Sequence, residues 1–578
     1  MDIEVAIIGG FYANGTRHQA RGRLYDGNHV RKTRRSDGSP DETVKPIGGW
    51  RPRAASTMTG AARAMLTWIT AAGVRWIAVG THSHLYVQSE AGNLTDITPN
   101  RATATLTANP FSMVAGSAVV TVTHAAHGAQ TGARVTLGGA AAVGGITPAG
   151  TYLLTRVDAN TYTITHGSAA TSAAVGGGAA VSAVYSINPG RADATLGGAG
   201  YGMGLYGAKT YGAPRSDLTR TLEASVWSLD LRGDRLVAVH PDDGQIVSWD
   251  NNTASKAVKI PNSPAAKALF VMPDGDGVIV ALNGRSVAWC DRDNSTVWAA
   301  TALNKAGDIT LQTLGSTLCG RAVGGRGLIL TDTDAWLMER RDGLYVYGFE
   351  KLENGCGAVS RGGISVVGGG RALWFGLDGM WSYDGLVRRV DCEVQERVWG
   401  ALTSSQASKV TSFYNSAHDE AWFFYPSGGS TENDRYVHVN VLTGYWFTGA
   451  LDRTCACDKG VFRYPMAVCT SRYVHEHEVP GGGYGATAPY VLTGPYELDG
   501  ERRVLVSRVY PDSLGSGTLT FFGQDTPKDE PTTLGSYAAG RKTDLLFSAQ
   551  EVSMRYDFTA STDRMGTFRV MARPQGRF

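Results

Sequence analysis

A strand-and-turn unit recurs through the middle of the sequence and limits the folds that the chain can adopt. In each copy a Gly or charged turn precedes an apolar strand, and a second turn leads into an aromatic strand, as in GDRLVAVHPDDGQIVSWD and GGRALWFGLDGMWSYDG. From Leu236 to Val278, Leu328, Leu373 and Trp422 the successive spacings are 42, 50, 45 and 49 residues. An all-β unit repeated at roughly this spacing is the signature of β-propeller blades.

Composition and turn chemistry agree with many short strands. The 578 residues include 74 Gly, 24 Tyr and 13 Trp, and only 18% of them are charged. Gly provides the positive φ angles of tight turns, and aromatic side chains fill pleated faces. Asp-Gly or Asn-Gly dipeptides stand where hairpins must turn, at 243–244, 283–284, 342–343, 378–379 and 384–385. The sequence therefore predicts an all-β fold: a β-propeller with an inserted small β domain and a C-terminal β-sandwich or platform region.

The order of sequence patterns predicts six segments. They are an N-terminal basic arm and docking segment (1–60), a first propeller unit (61–107), an inserted antiparallel β domain (108–187), a Gly/Tyr-rich loop (188–218), the remaining blades (219–500) and a C-terminal β region (501–578). One possibility is that the N-terminal segment supplies a strand that completes the last blade. The number of blades therefore stays open by about one.

Cysteine usage and the N-terminus indicate a protein made in a reducing compartment. The seven cysteines are an odd number, and MDIEVAIIGG has acidic residues where an export signal needs basic ones. The sequence has no apolar run of 18 residues. We expect reduced thiols, no membrane insertion and assembly in the cytoplasm.

A cluster of basic residues near the N-terminus raises the question of nucleic-acid binding. Residues 17–53 contain ten Lys and Arg against four Asp and Glu, a local charge of +6, while the whole chain carries +2 and the remainder therefore −4. The surrounding residues form neither a recognition helix nor an aromatic stacking platform. An acidic protein partner, non-specific DNA contact and a merely solvated loop remain as interpretations.

Five possible metal ligands lie within a short C-terminal stretch, namely Cys455, Cys457, Cys469, His475 and His477. Zinc uses such ligands, but the usual C-x2-C spacing, in which two residues separate the paired cysteines, is missing. We therefore interpret them as buried or strand-surface side chains, and predict neither a metal nor another cofactor.

Catalytic motifs are not recognisable in the sequence. The Ser-x-Asp-x-Gly-x-Thr-Trp box of propeller sialidases is absent, as are the nucleophile elbow, the Walker loop and the H-E-x-x-H zinc motif. We expect a protein without enzymatic activity, with a propeller glycoside hydrolase as the minority hypothesis.

Several segments together resemble the tail nozzle proteins of short-tailed bacteriophages. They are Asp26-Gly27 with Val30-Arg31, the I-G-G-W element at 47–50, TGAARAMLTWITAAGVRWIAVGTHSHLYVQ ending in TDITP, the YG-x-x-x-YG repeat, and WSLDLRGDRLVAVHPDDGQIVSWD. No single motif is specific, but their order spans nearly the full chain, with the inserted domain the part least covered. The linker RKTRRSDGSPDETVKP is longer and more charged than the resemblance leads us to expect.

The resemblance implies a virion structural protein of the head-tail connector complex. Such a protein forms a ring, expected to be a hexamer, that lies below the portal and adaptor rings. The ring continues the DNA channel, retains packaged DNA and guides its ejection. The implied partners are other copies of the chain, the adaptor or portal ring, tail fibre or spike proteins, and double-stranded DNA bound without sequence specificity.

Two groups of residues are predicted to serve assembly. Arg31, Lys32, Arg34 and Arg35 are expected on an exposed loop of a docking arm, with Trp50 beside them, and to contact an acidic face of a neighbouring subunit or ring. Tyr201, Tyr206 and Tyr211 are expected in a loop that an adjacent subunit orders. The other hypothesis from the binding class is a receptor- or glycan-binding tail component.

Overall fold

The computed structural model describes residues 2–5, 7–32, 43–198, 218–341, 346–499 and 502–575. Residue contacts divide the chain into two compact units, one of residues 56–351 and one of residues 1–55 together with 352–578. The fold class is all-β and β-propeller, as the sequence predicts, and most elements are short antiparallel strands.

The N-terminal segment is divided among several short elements. These are β1 (Asp2–Val5), β2 (Ile8–Phe11), a 3-10 helix (Arg17–Ala20), β3 (Arg23–Asn28), β4 (Val30–Arg31), β5 (Lys45–Pro46) and β6 (Gly49–Pro52). β4 and β5 pair antiparallel with each other.

The unit of residues 56–351 begins with a four-stranded antiparallel sheet and then an inserted module. The sheet contains β7 (Ala62–Ile69), β8 (Arg75–Thr81), β9 (Leu85–Ser89) and β10 (Leu94–Asp96). The module contains β11 (Asn100–Thr105), β12 (Phe111–Met113), β13 (Val119–Thr123), β14 (Arg134–Gly138), β15 (Gly150–Arg156), β16 (Thr161–Thr165), β17 (Ala174–Gly176) and β18 (Ser182–Ser186). These eight strands form one sheet around their own apolar core, and the first and last strands of the module in chain order, β11 and β18, pair with each other.

Three more four-stranded sheets follow a two-stranded pair made of β19 (Thr195–Gly198) and β20 (Leu218–Leu222). The first contains β21 (Ser228–Arg232), β22 (Arg235–Val239), β23 (Ile246–Trp249) and β24 (Val258–Lys259). The second contains β25 (Ala268–Met272), β26 (Val278–Asn283), β27 (Ser286–Trp289) and β28 (Gly307–Thr310). The third contains β29 (Thr317–Val323), β30 (Arg326–Thr331), β31 (Asp334–Arg340) and β32 (Tyr347–Asn354).

Adjacent sheets of this unit pack through their first strands. β7 contacts β21, β21 contacts β25, and β25 contacts β29. Each sheet runs in chain order from this first strand outward. Such an arrangement is the blade packing of a β-propeller, in which the first strand of every blade lies innermost.

The second unit contributes three further four-stranded sheets. The first contains β33 (Ile364–Val367), β34 (Arg371–Phe375), β35 (Met380–Tyr383) and β36 (Val387–Arg389). After the helix α1 (Gln395–Ala401) and a 3-10 helix (Ser404–Lys409), the next contains β37 (Thr411–Asn415), β38 (Glu420–Tyr425), β39 (Arg435–Asn440) and β40 (Trp446–Ala450). The last contains β41 (Cys455–Cys457), β42 (Met466–Val468) and β43 (Val474–Val479), and its fourth strand is the N-terminal β6.

The N-terminal strand therefore completes the last blade-like sheet. Arg51 pairs with Glu476 and Gly49 with Val479, so β6 runs antiparallel to β43 across about 425 residues of sequence separation. Among the described residues this gives seven four-stranded sheets of blade type.

The C-terminal strands form two sheets that also recruit the beginning of the chain. They are β44 (Tyr490–Thr493), β45 (Tyr496–Glu497), β46 (Val504–Leu514), β47 (Thr518–Gln524), β48 (Thr532–Ala538), β49 (Thr543–Ala549), β50 (Glu551–Asp557) and β51 (Arg564–Pro574). One sheet has the order β1-β51-β46-β49, and the other runs β2-β3-β44-β50-β47-β48 with β45 on β50. Residues from both sheets share one apolar cluster, as in a β-sandwich.

The pairings move two of the expected segment boundaries. The inserted module begins before residue 108, because β11 at Asn100–Thr105 pairs with β18. The C-terminal region begins before residue 501, because β44 and β45 belong to its sheets. The described part of residues 1–60 is not a free arm, since strands from this segment complete sheets whose other members lie several hundred residues away.

Candidate functional site

Arg31 lies at the centre of a buried ion cluster. β4 places its side chain between Glu420 at the start of β38 and Glu478 near the end of β43. Arg31 Nε lies 2.8 Å from Glu420 Oε1 and Nη2 lies 2.9 Å from Oε2, while Nη1 lies 2.8 Å from Glu478 Oε2. The side chains of Arg31 and Glu420 are 2% and 0% exposed. A planar guanidinium suits this arrangement because it offers several N–H donors in a fixed geometry.

Other groups add hydrogen bonds to the two carboxylates. Trp422 Nε1 donates to Glu420 Oε2 at 2.9 Å, and Asn415 Nδ2 donates to Glu478 Oε1 at 3.2 Å. The backbone N–H of Gly48 donates to Glu478 Oε2 at 2.8 Å. A Cβ atom at Gly48 would lie 2.3 Å from the Cα of Glu478, so this close approach requires glycine.

Burial and charge act in opposite directions on this cluster. Burial alone lowers the pKa of Arg31, but the carboxylates of Glu420 and Glu478 raise it above its ordinary value. Burial raises the pKa of Glu420. Burial also acts to raise the pKa of Glu478, yet Arg31 and the hydrogen bonds from Arg31 and Gly48 lower it overall. Arg31 is therefore held as a cation by groups that lie inside the same unit.

The expected exposed loop is wrong for two of its four basic residues. Arg31 is 1% exposed and Lys32 is 0% exposed. Lys32 Nζ donates to the carbonyl oxygen of Ile7 at 2.8 Å, and it lies 5.8 Å from the ring of Tyr445. Both side chains are buried because partners distant in the sequence surround them. Arg34 and Arg35 lie outside the described residues, so their predicted docking role stays a prediction.

Trp50 anchors the N-terminal segment through aromatic and cation contacts. Its ring lies edge-on to His29 at 5.2 Å and is stacked with His477 at 5.7 Å between ring centroids. The guanidinium of Arg453 lies 4.7 Å from the Trp50 centroid, a cation–π contact. The predicted contact of Trp50 with a neighbouring subunit or ring stays a prediction. Its contacts with His29, His477 and Arg453 hold the N-terminal segment within the chain. Tyr201, Tyr206 and Tyr211 lie outside the described residues.

The Cys and His residues of the last sheet are distributed over separate contacts. His477 Nε2 accepts a hydrogen bond from Arg453 Nε at 2.5 Å, and Cys469 Sγ lies 3.6 Å from His475 Nδ1. Burial and then Arg453 lower the pKa of both His475 and His477, so both rings are neutral near pH 7. Cys455 is buried and Cys457 is partly buried, each in a contact of its own on β41. The Nε2 atom of His477 is therefore engaged by Arg453 rather than free to bind a metal.

A different group of possible ligands meets in the C-terminal sheets. Among the described residues, the ligand atoms of His18, Glu497 and Glu551 all lie within 4.8 Å of one another. His18 Nδ1 lies 3.2 Å from Glu551 Oε1. Each carboxylate also has a protein donor, since Arg21 binds Glu497 and Gln524 donates to Glu551 at 2.6 Å. Sequence reasoning missed this group because His18 lies several hundred residues before the two glutamates.

A polar cavity of about 580 Å³ opens within the unit that contains the ion cluster. Its wall includes residues 26–28 of β3, Arg397 of α1, and residues from β38, β39, β40 and β44. Arg397 Nη1 lies 2.9 Å from Asp26 Oδ1, and the Tyr490 hydroxyl donates to Asp26 Oδ2 at 3.4 Å. Asp26 and Gly27, which carry part of the family resemblance, therefore line a space large enough for a small ligand.

None of the helices in the described part of the chain has the length and apolar character needed to cross a membrane. No protein-family model and no curated protein matches the sequence.

The chain is similar to several solved structures at low identity. A phage phi92 endosialidase is 12% identical over 74% of this chain and 64% of that chain, with a TM-score of 0.19. Virginiamycin B lyase from Staphylococcus aureus is 6% identical over 74% of this chain and 99% of that chain, with a TM-score of 0.25. A fungal alcohol oxidase in complex with copper is 8% identical over 82% and 92%, with a TM-score of 0.32. The chain spans less than two thirds of the endosialidase, and similarities this distant carry no function from one protein to another.

Proposed function

We propose that this chain is the structural subunit of a tail nozzle of a short-tailed bacteriophage. In this role it forms a ring below the portal and adaptor rings, continues the DNA channel, retains packaged DNA and guides its ejection. The observation that carries the proposal is the order of the sequence motifs, which resembles that family over nearly the full chain.

The positions of the motif residues support a scaffold role. Arg31 joins β4 to two blade-like sheets, and Gly48 and Trp50 hold the segment around β6 against the last of them. These contacts fix the N-terminal segment in place rather than present a reacting group. Motif residues that hold strands and sheets together are expected in a subunit whose rigid sheets position surface loops for assembly.

Charge distribution supports passage of DNA rather than a tight grip on it. Outside residues 17–53 the chain carries a formal charge of −4. Two of the basic residues inside this stretch, Arg31 and Lys32, are buried. Each phosphate that a cation neutralises strengthens salt-dependent binding, so a channel wall with few exposed cations lets DNA slide.

A hydrolase is less well supported than a scaffold. Glycosidases of the common types place two carboxylates on either side of the scissile bond. Among the described residues that line the polar cavity, Asp26 is the one carboxylate, and both Arg397 and Tyr490 bind it. The described wall of this cavity thus lacks a pair of carboxylates, and the sequence has no recognisable catalytic motif, so we propose that the chain has no catalytic role.

Electron microscopy of the purified full chain tests the ring. We expect closed rings, with six subunits, that have an axial channel and that bind at the tail axis when added to particles lacking them. Monomers in solution, or attachment to fibres and spikes at the periphery of the tail, would contradict the proposal.

A paired substitution tests the docking role of the remaining basic residues. Arg34→Glu with Arg35→Glu is expected to leave the ring intact and to weaken its attachment to the adaptor. The matched control is Arg388→Glu, an exposed arginine of β36 whose side chain is 60% exposed. Normal attachment of the double variant would rule out docking through these two arginines.

A further inference from the structure

The polar cavity contains one cation that the protein leaves without a counter-charge. Arg397 is paired with Asp26, as described above. Arg435, at the start of β39, also lines the cavity and is exposed. Within the part of the chain that the structure describes, its guanidinium makes no hydrogen bond and no ion pair. The charged side chains of the cavity wall are these two arginines and Asp26, so the cavity has a formal charge of +1.

Two polar side chains of the wall also have an atom without a protein hydrogen-bond partner in the described ranges of the chain. Asn28 is 3% exposed, and its Oδ1 accepts hydrogen bonds from the Ala450 N–H at 3.0 Å and the Tyr436 hydroxyl at 3.4 Å. Its Nδ2 has no partner among the described residues. The hydroxyl of Tyr425, a side chain that is 3% exposed, likewise has no partner there. Polar atoms that line a cavity and have no protein partner can bind ordered water or a polar guest.

The wall is built on strands that hold these groups in place. A Cβ atom at Gly449 would lie 2.2 Å from Asn28 Oδ1 and 2.5 Å from the Tyr436 hydroxyl. The glycine therefore allows β40 to approach the Asn28 side chain and fix its amide. The Tyr490 ring is covered by the guanidinium of Arg555 at 4.0 Å, which restricts its orientation as well.

We propose that this cavity binds an acidic saccharide, with its carboxylate on Arg435. A guanidinium pairs with a carboxylate through parallel hydrogen bonds. Asn28 Nδ2, the Tyr425 hydroxyl and the hydroxyl of Thr448 are suited to sugar hydroxyl groups, and the cavity volume accommodates one or two sugar rings. The nearby carboxylate of Asp26 disfavours a doubly charged phosphate more than it disfavours a singly charged carboxylate. The inference does not depend on ring formation.

The test is a binding measurement on the full chain with two matched sugars. Methyl glucuronide and methyl glucoside share one ring and differ in the carboxylate, so saturation-transfer NMR and calorimetry compare them directly. We expect the glucuronide to bind and the glucoside to bind about tenfold more weakly, because a charge-assisted hydrogen bond contributes roughly that factor. Inorganic phosphate is the third probe and is expected to compete weakly.

Variants assign the binding to the cavity. Arg435→Gln is expected to weaken glucuronide binding about tenfold and to leave glucoside binding unchanged. Arg388→Gln, outside the cavity, is the control and should change neither affinity. Thermal unfolding of both variants checks that the fold is kept.

Several results would overturn the proposal. These are equal affinities for the two sugars, undiminished glucuronide binding by Arg435→Gln, no binding of either sugar, or phosphate competing as strongly as the glucuronide. Electron microscopy reads ring formation separately, so a failed ring and an empty cavity are distinguishable outcomes.

Discussion

The role of a single charged residue depends on partners that the local sequence does not show. In the sequence Arg31 belongs to a basic cluster, while in the structure its guanidinium is enclosed by Glu420 and Glu478. Burying one of these charges without the other would cost several kcal/mol. The local sequence could not show this, because the two acids lie roughly 390 and 450 residues further along the chain.

Replacing Arg31 is expected to destabilise the protein strongly. Arg31→Met leaves two buried carboxylates without their cation, a change that lowers the free energy of unfolding by about 3–5 kcal/mol. Urea unfolding followed by tryptophan fluorescence measures the effect. Arg388→Met is the control, and it should shift stability by no more than about 1 kcal/mol because its ion pair is exposed. Equal effects of the two substitutions would show that the buried cluster is not a major source of stability.

A methyl group at Gly48 is expected to disrupt the same cluster through the backbone. A Cβ there would lie 2.3 Å from the Cα and 2.4 Å from the carbonyl carbon of Glu478, so one segment must move. Gly48→Ala should cost about 1–3 kcal/mol, as other overpacked sites do. Gly400→Ala in α1 is the matched control, because a Cβ at Gly400 meets no atom within 4 Å. Thermal unfolding compares the two, and a loss of stability only in the helix variant would contradict the packing argument.

At the scale of elements, the local periodicity of the sequence predicts the blade strands, but the sequence does not show which distant strands pair. The spacing from Leu236 to Trp422 predicted blade-like sheets, and each of these anchors lies in the second strand of a four-stranded sheet. The inserted module was recognisable because its alternating Val, Thr and Tyr residues are contiguous. The division of the N-terminal segment among distant sheets was missed, because the sequence of such short strands does not specify which strand they pair with.

The polar cavity was also beyond the reach of sequence reasoning. Its wall combines β3 with α1 and four strands from later parts of the chain. Asp26 and Gly27 drew attention as a motif, but only the fold shows that they border an open space. The Cys and His residues of the last sheet show the opposite case. Their spacing in the sequence suggests a metal site, but in the structure His477 accepts a hydrogen bond from Arg453.

Excision of the inserted module is expected to leave the rest of the unit folded. Asn100 in β11 and Ser186 in β18 are paired neighbours, so the two ends of the module lie close together. The module has its own apolar core, including Phe111, Tyr162 and Tyr185. Replacing residues 101–185 by two glycines should therefore keep the thermal midpoint of the remainder within a few degrees, measured by circular dichroism.

The separated module provides the complementary measurement. A fragment of residues 99–188 is expected to unfold cooperatively by itself, because its core is made of its own strands. Aggregation of the shortened chain together with a fragment that shows no unfolding transition would contradict the independence of the module.

At the scale of the whole molecule, neutral buried histidines link stability to pH. Burial lowers the pKa of His29, His84, His240 and His418 to about 4, and that of His438 to about 3. In the unfolded chain these groups titrate near 6.5. Between these values the unfolded state binds more protons than the folded state, so acid favours unfolding.

Stability is therefore expected to be level above about pH 6.5 and to fall as the pH drops from 6.5 toward 4. Thermal midpoints measured from pH 8 to pH 4.5 test this expectation. His438→Gln removes one of the groups and should make the decline shallower, although the variant is less stable at neutral pH because the ring is stacked on Trp422 at 4.2 Å. A midpoint that rises on acidification would contradict the assignment of neutral histidines.

The pairing of β6 with β43 means that the last sheet can form only late in synthesis. β6 leaves the ribosome early, but its partner is made about 425 residues later. At ordinary translation rates of about 5–20 residues per second, the strand waits roughly 20 to 90 seconds for β43. During that interval Arg51 within the strand and Arg53 just after it keep the segment charged, which discourages pairing with the wrong strand. Any chain released before residue 474 has a last sheet that cannot form, so premature termination yields an unfinished protein rather than a shorter working one.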